Sequence, residues 1–455
     1  MSRLPLNART DAILRRLVRK EANQHVQKIL AKTRNEDVAA AFSHLTGSER
    51  QRLFQLISNP DAAADVLTNL DEAAVNDVVT QLSNHELIDL LERMEPDDAT
   101  DIIELLPEET RQAIMNEMRG EETEEVANLL HWPSDSAGGI MSPSVFKMPE
   151  SATCGQAIRA VQERSEEYDS IFYVYLVDSS HRLVGVVSLR ALLVHPPNTP
   201  LVSIMTRDVI GVDATTDQEE VARYVARYDL LAVPVVNEHG HLLGIVTVDD
   251  VVDVIREEAV EDMMLMAGVK EDPGPTERSL WYMVRSRFGW LLATIFGGIL
   301  ASELINFYEG TLLPPEKVAV LAGFIPVIMG MGGNVGIQSA TITVRGLATG
   351  QVQLGGAFAF VVREARVGLV LGGLYGVLLG VYALARHMED PVVGISVASS
   401  VTLAIIVASL FGTITPVALS RLEIDPAVAT GPFVTTVVDI LGIAIYLSIA
   451  SALVL

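Results

Sequence analysis

Residues 429–455 read ATGPFVTTVVDILGIAIYLSIASALVL, an apolar run whose one charged side chain is Asp439. A helix crossing the hydrocarbon core needs about 20 mostly apolar residues, so this stretch reads as a membrane span. Asp439 stands about ten residues in, near the bilayer midplane. Holding a lone carboxylate there costs at least ~2.5–3.5 kcal/mol. No Lys or Arg in the spans stands at a matching depth, so a bound cation, a proton or water must compensate. A protonated Asp hydrogen-bonded to a neighbouring helix is the structural alternative. A cation path is the functional one, because an ionisable group inside a membrane is a functional-site hypothesis by default.

Four more stretches fit a span: about 288–307, 318–341, 367–385 and 392–419. Arg285 and Arg287 precede the first, Arg345, Arg363 and Arg366 lie between the second and third, and Arg421 lies between the fourth and fifth. The opposite loops carry Lys317 and Arg386, each with acidic neighbours. Arginine and lysine concentrate on the cytosolic side, so the N-terminus is expected inside and the C-terminus outside. No signal peptide is expected, since the first long apolar run begins near Phe288.

The second span, AGFIPVIMGMGGNVGIQSATITVRGLATG, is unusual. Pro326, Gly330, Gly332, Gly333 and Gly336 weaken a helix, and Asn334, Gln338, Ser339, Thr341 and Thr343 add polar groups. Irregular backbone at membrane depth survives where it is buried in protein or lines a wet cavity. Two readings stand: a pore lining, or tight packing of small residues between helices. For the pore lining the expected residues are Gly330, Gly333, Asn334 and Gln338, with Thr435 from the fifth span. A two-fold dimer would bring two Asp439 side chains to one axis. Two facing carboxylates repel unless a cation lies between them. Magnesium dehydrates reluctantly and is held through its waters by few carboxylates, which suits so sparse a site.

The formal net charge is −25, and it is unevenly placed: from Thr276 onward stand 9 Arg+Lys and 10 Asp+Glu, leaving 24 basic and 48 acidic residues before. So acidic a surface disfavours nucleic acid as a partner. The single cysteine, Cys154, excludes an intrachain disulfide and a Cys-based zinc site.

Residues 1–36 form a basic leader with helical apolar spacing, read either as a helix on the anionic inner leaflet or as a solvated one. From about Thr46 to Leu130 short amphipathic helices repeat loosely every 15–25 residues, as a stack would. Asp97 and Asp101, four apart, share a helix face there. Beyond Met141, strands and helices alternate, and VDSSHRLVGVVSLRAL is echoed by VNEHGHLLGIVTVDDV. The second copy carries Thr247 and Asp250 just after its last strand, where ribose hydroxyls can be held. The first has Ser188 and Ala191 there and lacks the carboxylate. The next helix crowds Asp249, Asp250, Asp253, Glu257, Glu258, Glu261 and Asp262 against Arg256 alone. It reads as a solvated connector or as a divalent-ion switch whose repulsion binding would cancel.

The stretches 326–350 (PVIMGMGGNVGIQSATITVRGLATG) and 425–446 (DPAVATGPFVTTVVDILGIAIY) resemble the MgtE family of magnesium channels. The tandem repeat ending GIVTVDDVVDVI resembles a pair of cystathionine-β-synthase (CBS) domains, entered through SAGGIM at 136–141. The resemblance covers nearly the whole chain and implies a multidomain fold. Residues 1–36 are the leader, 37–135 an α-helical N-domain stack, and 136–199 and 200–252 the two CBS (α+β) domains. Residues 253–280 are an acidic connecting ("plug") helix and linker, and 281–455 a transmembrane bundle of five α-helices. It further implies a homodimer in the bacterial inner membrane with a periplasmic or extracellular C-terminus, and a central pore in which Asp439 holds hydrated Mg2+. By matching position, the sensor ligands for cytosolic Mg2+ would be Asp217, Glu219, Asp229, Asp250, Asp253, Glu258, Glu261 and Asp262. Asp425 would meet the plug helix, and Asp97 and Asp101 would complete the N-domain side. ATP would bind as a regulatory ligand with Thr247 and Asp250 at its ribose. The expectation is passive Mg2+ entry closed by cytosolic Mg2+, without enzymatic activity, since no P-loop is present. A secondary transporter of Mg2+ or Co2+ coupled to H+ or Na+ is the alternative.

Overall fold

The computed structural model describes residues 8–118, 121–164, 168, 171–269, 280–312, 320–349, 351–352, 356–388, 391–422 and 424–454. The linker at 270–279 and Lys317 lie outside them. The chain divides into two compact units, Met1–Glu258 and Ala259–Leu455.

The first unit opens with α1 (Ala8–Arg19), α2 (Asn23–Leu30), α3 (Asn35–Phe42), α4 (Gly47–Gln55) and α5 (Pro60–Thr68). It continues with α6 (Glu72–Val79), α7 (Asn84–Leu91), α8 (Pro96–Glu104), α9 (Glu108–Glu117) and α10 (Glu121–Leu129). From α3 onward a helix begins every 12 or 13 residues, a tighter period than the 15–25 expected. Short polar caps set it. Thr46 and Ser83 form capping boxes with Glu49 and Glu86, and Asn59 and Asp71 accept backbone N–H groups of the turns they open. A cap satisfies N–H groups that a helix start leaves unbonded, so frequent caps make frequent short helices. The basic leader joins this stack: Leu14, Val18 and Val26 are buried in the same core as Leu53, Leu67 and Ile103. Arg19 pairs with Glu49 and Arg52 with Glu21.

The repeat follows. In its first half β1 (Lys147–Pro149) runs parallel to β2 (Tyr173–Val177), which pairs antiparallel with β3 (Leu183–Ser188). Helices α11 (Cys154–Glu163) and α12 (Leu189–Val194) complete it. The second half copies this with β4 (Val212–Asp213), α13 (Gln218–Tyr228), β5 (Ala232–Val236) and β6 (Leu242–Thr247), down to the same register irregularity near the end of the middle strand. Tyr175 and Val177 pack with Ala232, Leu242 and Ile245 in one cluster between the halves. The acidic helix α14 (Val248–Met266) starts directly after β6, one residue before the first of its expected acids, Asp249, and buries Val251 and Val254.

Among the described residues of the second unit, five helices are long and apolar enough to cross a membrane: α15 (Leu280–Thr311), α16 (Ile325–Ala348), α17 (Ala357–Arg386), α18 (Pro391–Arg421) and α19 (Pro432–Val454). The third begins ten residues before its expected start. Arg363, Glu364 and Arg366 therefore belong to α17, not to a loop, and Glu364 is a buried carboxylate within an apolar helix. The sequence reading missed it because the charged triplet looked like a boundary. The glycines of the second span do not break it. The break falls at Gly323–Phe324, ahead of Pro326, and α16 then runs unbroken. Close backbone approach explains the glycines. A Cβ on Gly412 of α18 would stand 2.3 Å from the Gly336 carbonyl oxygen of α16. Small residues that let helices touch stabilise bundles where lipid supplies no hydrophobic drive.

Candidate functional sites: a membrane groove and an acidic interface

In the membrane unit α16 and α19 form a groove of about 180 Å³ lined by Met329, Gly330, Gly333, Asn334, Thr435 and Asp439. Gly330, Asn334 and Gln338 recur every four residues and are exposed on this single chain, as one helix face requires. Gln338 lies a turn beyond the groove lining. A Cβ on Gly333 would come within 3.7 Å of Asp439 Oδ1 and 3.5 Å of Thr435 Cγ2, so glycine brings the α16 backbone to the carboxylate. Gly332 and Gly336 instead face Val438 and Val434. One face of α16 thus lines the groove, while another packs its glycines against α19. Met329 was not foreseen, because an apolar residue in an apolar span carries no signal.

In the first unit, α8 and α14 face each other with like charges. Burial pushes the Asp97 carboxyl up to about 8, reinforced by Asp98, Glu95 and Asp250. Burial likewise raises Asp98 to about 7, with Glu95, Asp101 and Asp250 adding repulsion. Asp101 is raised to about 7 by burial, Glu104, Glu257 and Asp250, although more than a third of its surface meets water, which screens it. Asp250 is raised by burial even though Thr247 donates to it through both N–H and Oγ1. Burial also raises Glu257, next to Asp253, Glu258 and Glu72. Asp97 Oδ1 is buried with no hydrogen-bond partner, an arrangement that leaves a buried anion uncompensated. The expected pair Asp97 and Asp101 thus meets Asp250. Glu257, one of the acids expected to crowd this helix, joins them, as do Glu95, Asp98 and Glu104, which were overlooked although Asp101 and Glu104 are spaced for one helix face.

The remaining expected sensor residues separate. Asp217 caps α13 by accepting from Glu219 N–H, and the intervening Gln218 donates to Glu258 of α14 at 2.7 Å. Gln218 therefore faces α14, while Glu219 pairs with Arg223. Asp229 caps the far end of α13 in the left-handed conformation (φ 52°). A helix of this length spans roughly 16 Å, so Asp229 and Asp217 cannot share an ion. Glu261 and Asp262 lie beyond, on the part of α14 in the second unit. Asp425 accepts from Ala427 N–H and caps the 3₁₀ turn Pro426–Ala429 ahead of α19. The end of α14 itself reaches α19: a Cβ on Gly431 (φ 59°) would stand 2.5 Å from Met266 O, and one on Gly268 (φ 70°) 2.7 Å from Pro432 Cγ. Among the described residues, no three His, Cys or carboxylate side chains converge tightly enough to hold a bare metal ion.

Comparison with known proteins bears on both sites. A divalent cation transporter family model matches residues 325–449, a transporter intracellular N-domain model 33–135, and CBS domain models 137–197 and 201–257. A magnesium transporter of Bacillus subtilis is 36% identical over 338 residues, 74% of each chain. One of Thermus thermophilus is 40% identical over 337 residues, 72% of each. A solved cytosolic domain of a Mg2+ channel in complex with ATP is 33% identical, with a TM-score of 0.50, over 54% of this chain and 99% of that one.

Proposed function

The chain belongs to the MgtE family of magnesium transporters, and on that premise we propose that it is a homodimeric Mg2+ channel closed by Mg2+ from the cytosolic side. The observation that carries the proposal is the groove that sets Asp439 beside Gly330, Gly333 and Asn334, with its polar stripe exposed on one chain. A second copy related by two-fold symmetry closes the groove into a path with a carboxylate from each side. The sparse ligand set favours an ion that keeps its waters, as Mg2+ does. The glycines leave room for that shell. An inside-negative potential supplies ~2.3 kcal/mol per charge per 100 mV, so entry of a divalent ion needs no pump.

In this reading the N-terminus and the first unit are cytosolic and the C-terminus lies outside. Residues Asp97, Asp98, Asp101, Asp250 and Glu257 repel one another across α8 and α14 until Mg2+ enters between them, which draws the two helices together. The orphaned Asp97 oxygen is the acceptor such an ion's water shell would meet. Asp217, Glu219 and Glu258 form a second locus, tied by Gln218. Asp253, Glu261, Asp262 and Asp425 complete the acidic lining along α14, with Asp229 a separate surface ligand. Because α14 ends against Gly431 and Pro432, its movement reaches the start of the helix that carries Asp439. ATP bound at Thr247 and Asp250 would engage the carboxylate that faces Asp97, so nucleotide and cation act on one residue.

Flux measurements separate this from coupled transport. Mg2+ entry into proteoliposomes should follow the Mg2+ gradient and the membrane potential and ignore imposed H+ and Na+ gradients. Entry that tracks either of those gradients would replace the channel with an exchanger.

A further inference from the structure

The groove works only if α16 and α19 are held at the right height relative to each other, and one side chain is built to do so. Tyr446 is fully buried and donates its hydroxyl to the Leu321 carbonyl at 3.0 Å. Leu321 lies in the short helical turn before the break at Gly323–Phe324. Proline lacks an N–H, so Pro326 leaves the Ala322 carbonyl without its i→i−4 donor, and the ladder is already tightened one residue before it, at Leu321. Phe324 N–H bonds Leu321 O at 3.0 Å in the tighter i→i−3 manner. A carbonyl can accept two hydrogen bonds, and at this irregular point of the helix Tyr446 supplies the second.

Tyr446 also lies seven residues beyond Asp439 on α19, two turns along the same face. Between these two residues, Gly442 approaches Ile328: a Cβ there would sit 3.6 Å from Ile328 Cγ2. On the other side of Asp439, Val438 and Val434 seat against Gly332 and Gly336. These apolar contacts are non-directional and tolerate sliding, whereas a hydrogen bond weakens steeply with misalignment. A slip of one residue along a helix is 1.5 Å, nearly the length of a Mg2+–water bond (about 2.1 Å). We propose that Tyr446 is a positioning residue of the ion path, its hydroxyl anchored on the Leu321 carbonyl so as to fix the height of Asp439 against Gly330, Gly333 and Asn334. The inference rests on the reading of that groove as the Mg2+ path.

Single-channel recording of the full-length protein with Mg2+ as the only permeant cation tests it, comparing wild type with Tyr446→Phe, Asp439→Asn and Tyr308→Phe. Tyr308→Phe removes a different hydroxyl contact to α19, the one with Ser448 Oγ at 2.6 Å, and serves as the control. One buried hydrogen bond biases the aligned register by about fivefold. Unitary Mg2+ current should therefore fall about that much in Tyr446→Phe and stay near wild type in Tyr308→Phe, and the cytosolic Mg2+ needed for closure should not move. Lowered thermal stability with wild-type unitary current would make Tyr446 merely structural and overturn the proposal. If Asp439→Asn abolishes current while Tyr446→Phe conducts normally, the groove stands and only this proposal fails. If Asp439→Asn itself conducts normally, the groove reading fails first. Should Tyr446→Phe not fold, fluorotyrosines at position 446 keep the size and strengthen the donor. Current that changes with donor strength supports the proposal, and current indifferent to it overturns it.

Discussion

Replacing Asp97 with Asn should tighten the packing of α8 on α14 in the absence of divalent ions and make that packing less responsive to Mg2+. Burial and the charges of Asp98, Glu95 and Asp250 move the Asp97 carboxyl from 3.8 to about 8. At 1.36 kcal/mol per unit the ceiling on the penalty for holding it ionised is on the order of 5 kcal/mol. Side-chain rotation and entering water relieve much of that, so a gain of about 1–3 kcal/mol is expected. The sign follows from linkage. The packed state holds its proton to a higher pH than the unfolded chain does. Its extra stability is complete below the ordinary carboxylate pKa and is lost as pH rises toward about 8. Hydrogen exchange on the full-length protein reads this directly, in peptides covering α8 and α14. With divalent ions chelated, wild-type protection should fall between about pH 4 and pH 8 and return when Mg2+ is added. The Asp97→Asn protein should start more protected, lose less with pH and gain less from Mg2+. If the substitution loosens α8, or leaves the pH profile unchanged, the facing carboxylates are not the repulsive element argued for.

Three further outcomes follow from the same geometry. Gly412→Ala should destabilise the membrane unit by about 1–3 kcal/mol through overpacking, since its Cβ would meet the Gly336 carbonyl at 2.3 Å; thermal unfolding in detergent measures it. Gln218→Ala breaks the 2.7 Å bond to Glu258 and should change the cytosolic Mg2+ concentration for closure while leaving unitary current as it was; recordings on excised patches show both. Tyr446→Phe should do the reverse, lowering current without moving the closing concentration.

Much of this was legible in the sequence because membranes and repeats write simple signals. A carboxylate in a long apolar run marks itself, and Asp439 does line the groove. The duplicated strand–turn–strand pattern predicts two matching sheets, and even the register irregularity is duplicated. What escaped did so for physical reasons. Glu364 hid beside Arg363 and Arg366, because charge was taken as the end of a span when α17 carries it inside. The role of Tyr446 depends on a carbonyl 125 residues away, and no local pattern encodes such a contact. Asp98, next to the Asp97–Asp101 face, carries no local mark of its own, and only the facing of α8 and α14 gives it neighbours to repel. Asp217 and Asp229 are close in sequence and identical in type, yet a helix holds them apart.

The most direct test of the account is patch recording on wild type and Asp439→Asn with cytosolic Mg2+ varied. Wild type should pass inward Mg2+ current that falls as cytosolic Mg2+ rises. Asp439→Asn should pass little or none at any concentration, while its first unit still shows the wild-type Mg2+-dependent gain in exchange protection. Wild-type Mg2+ current through Asp439→Asn would contradict the central claim that this carboxylate lines the ion path.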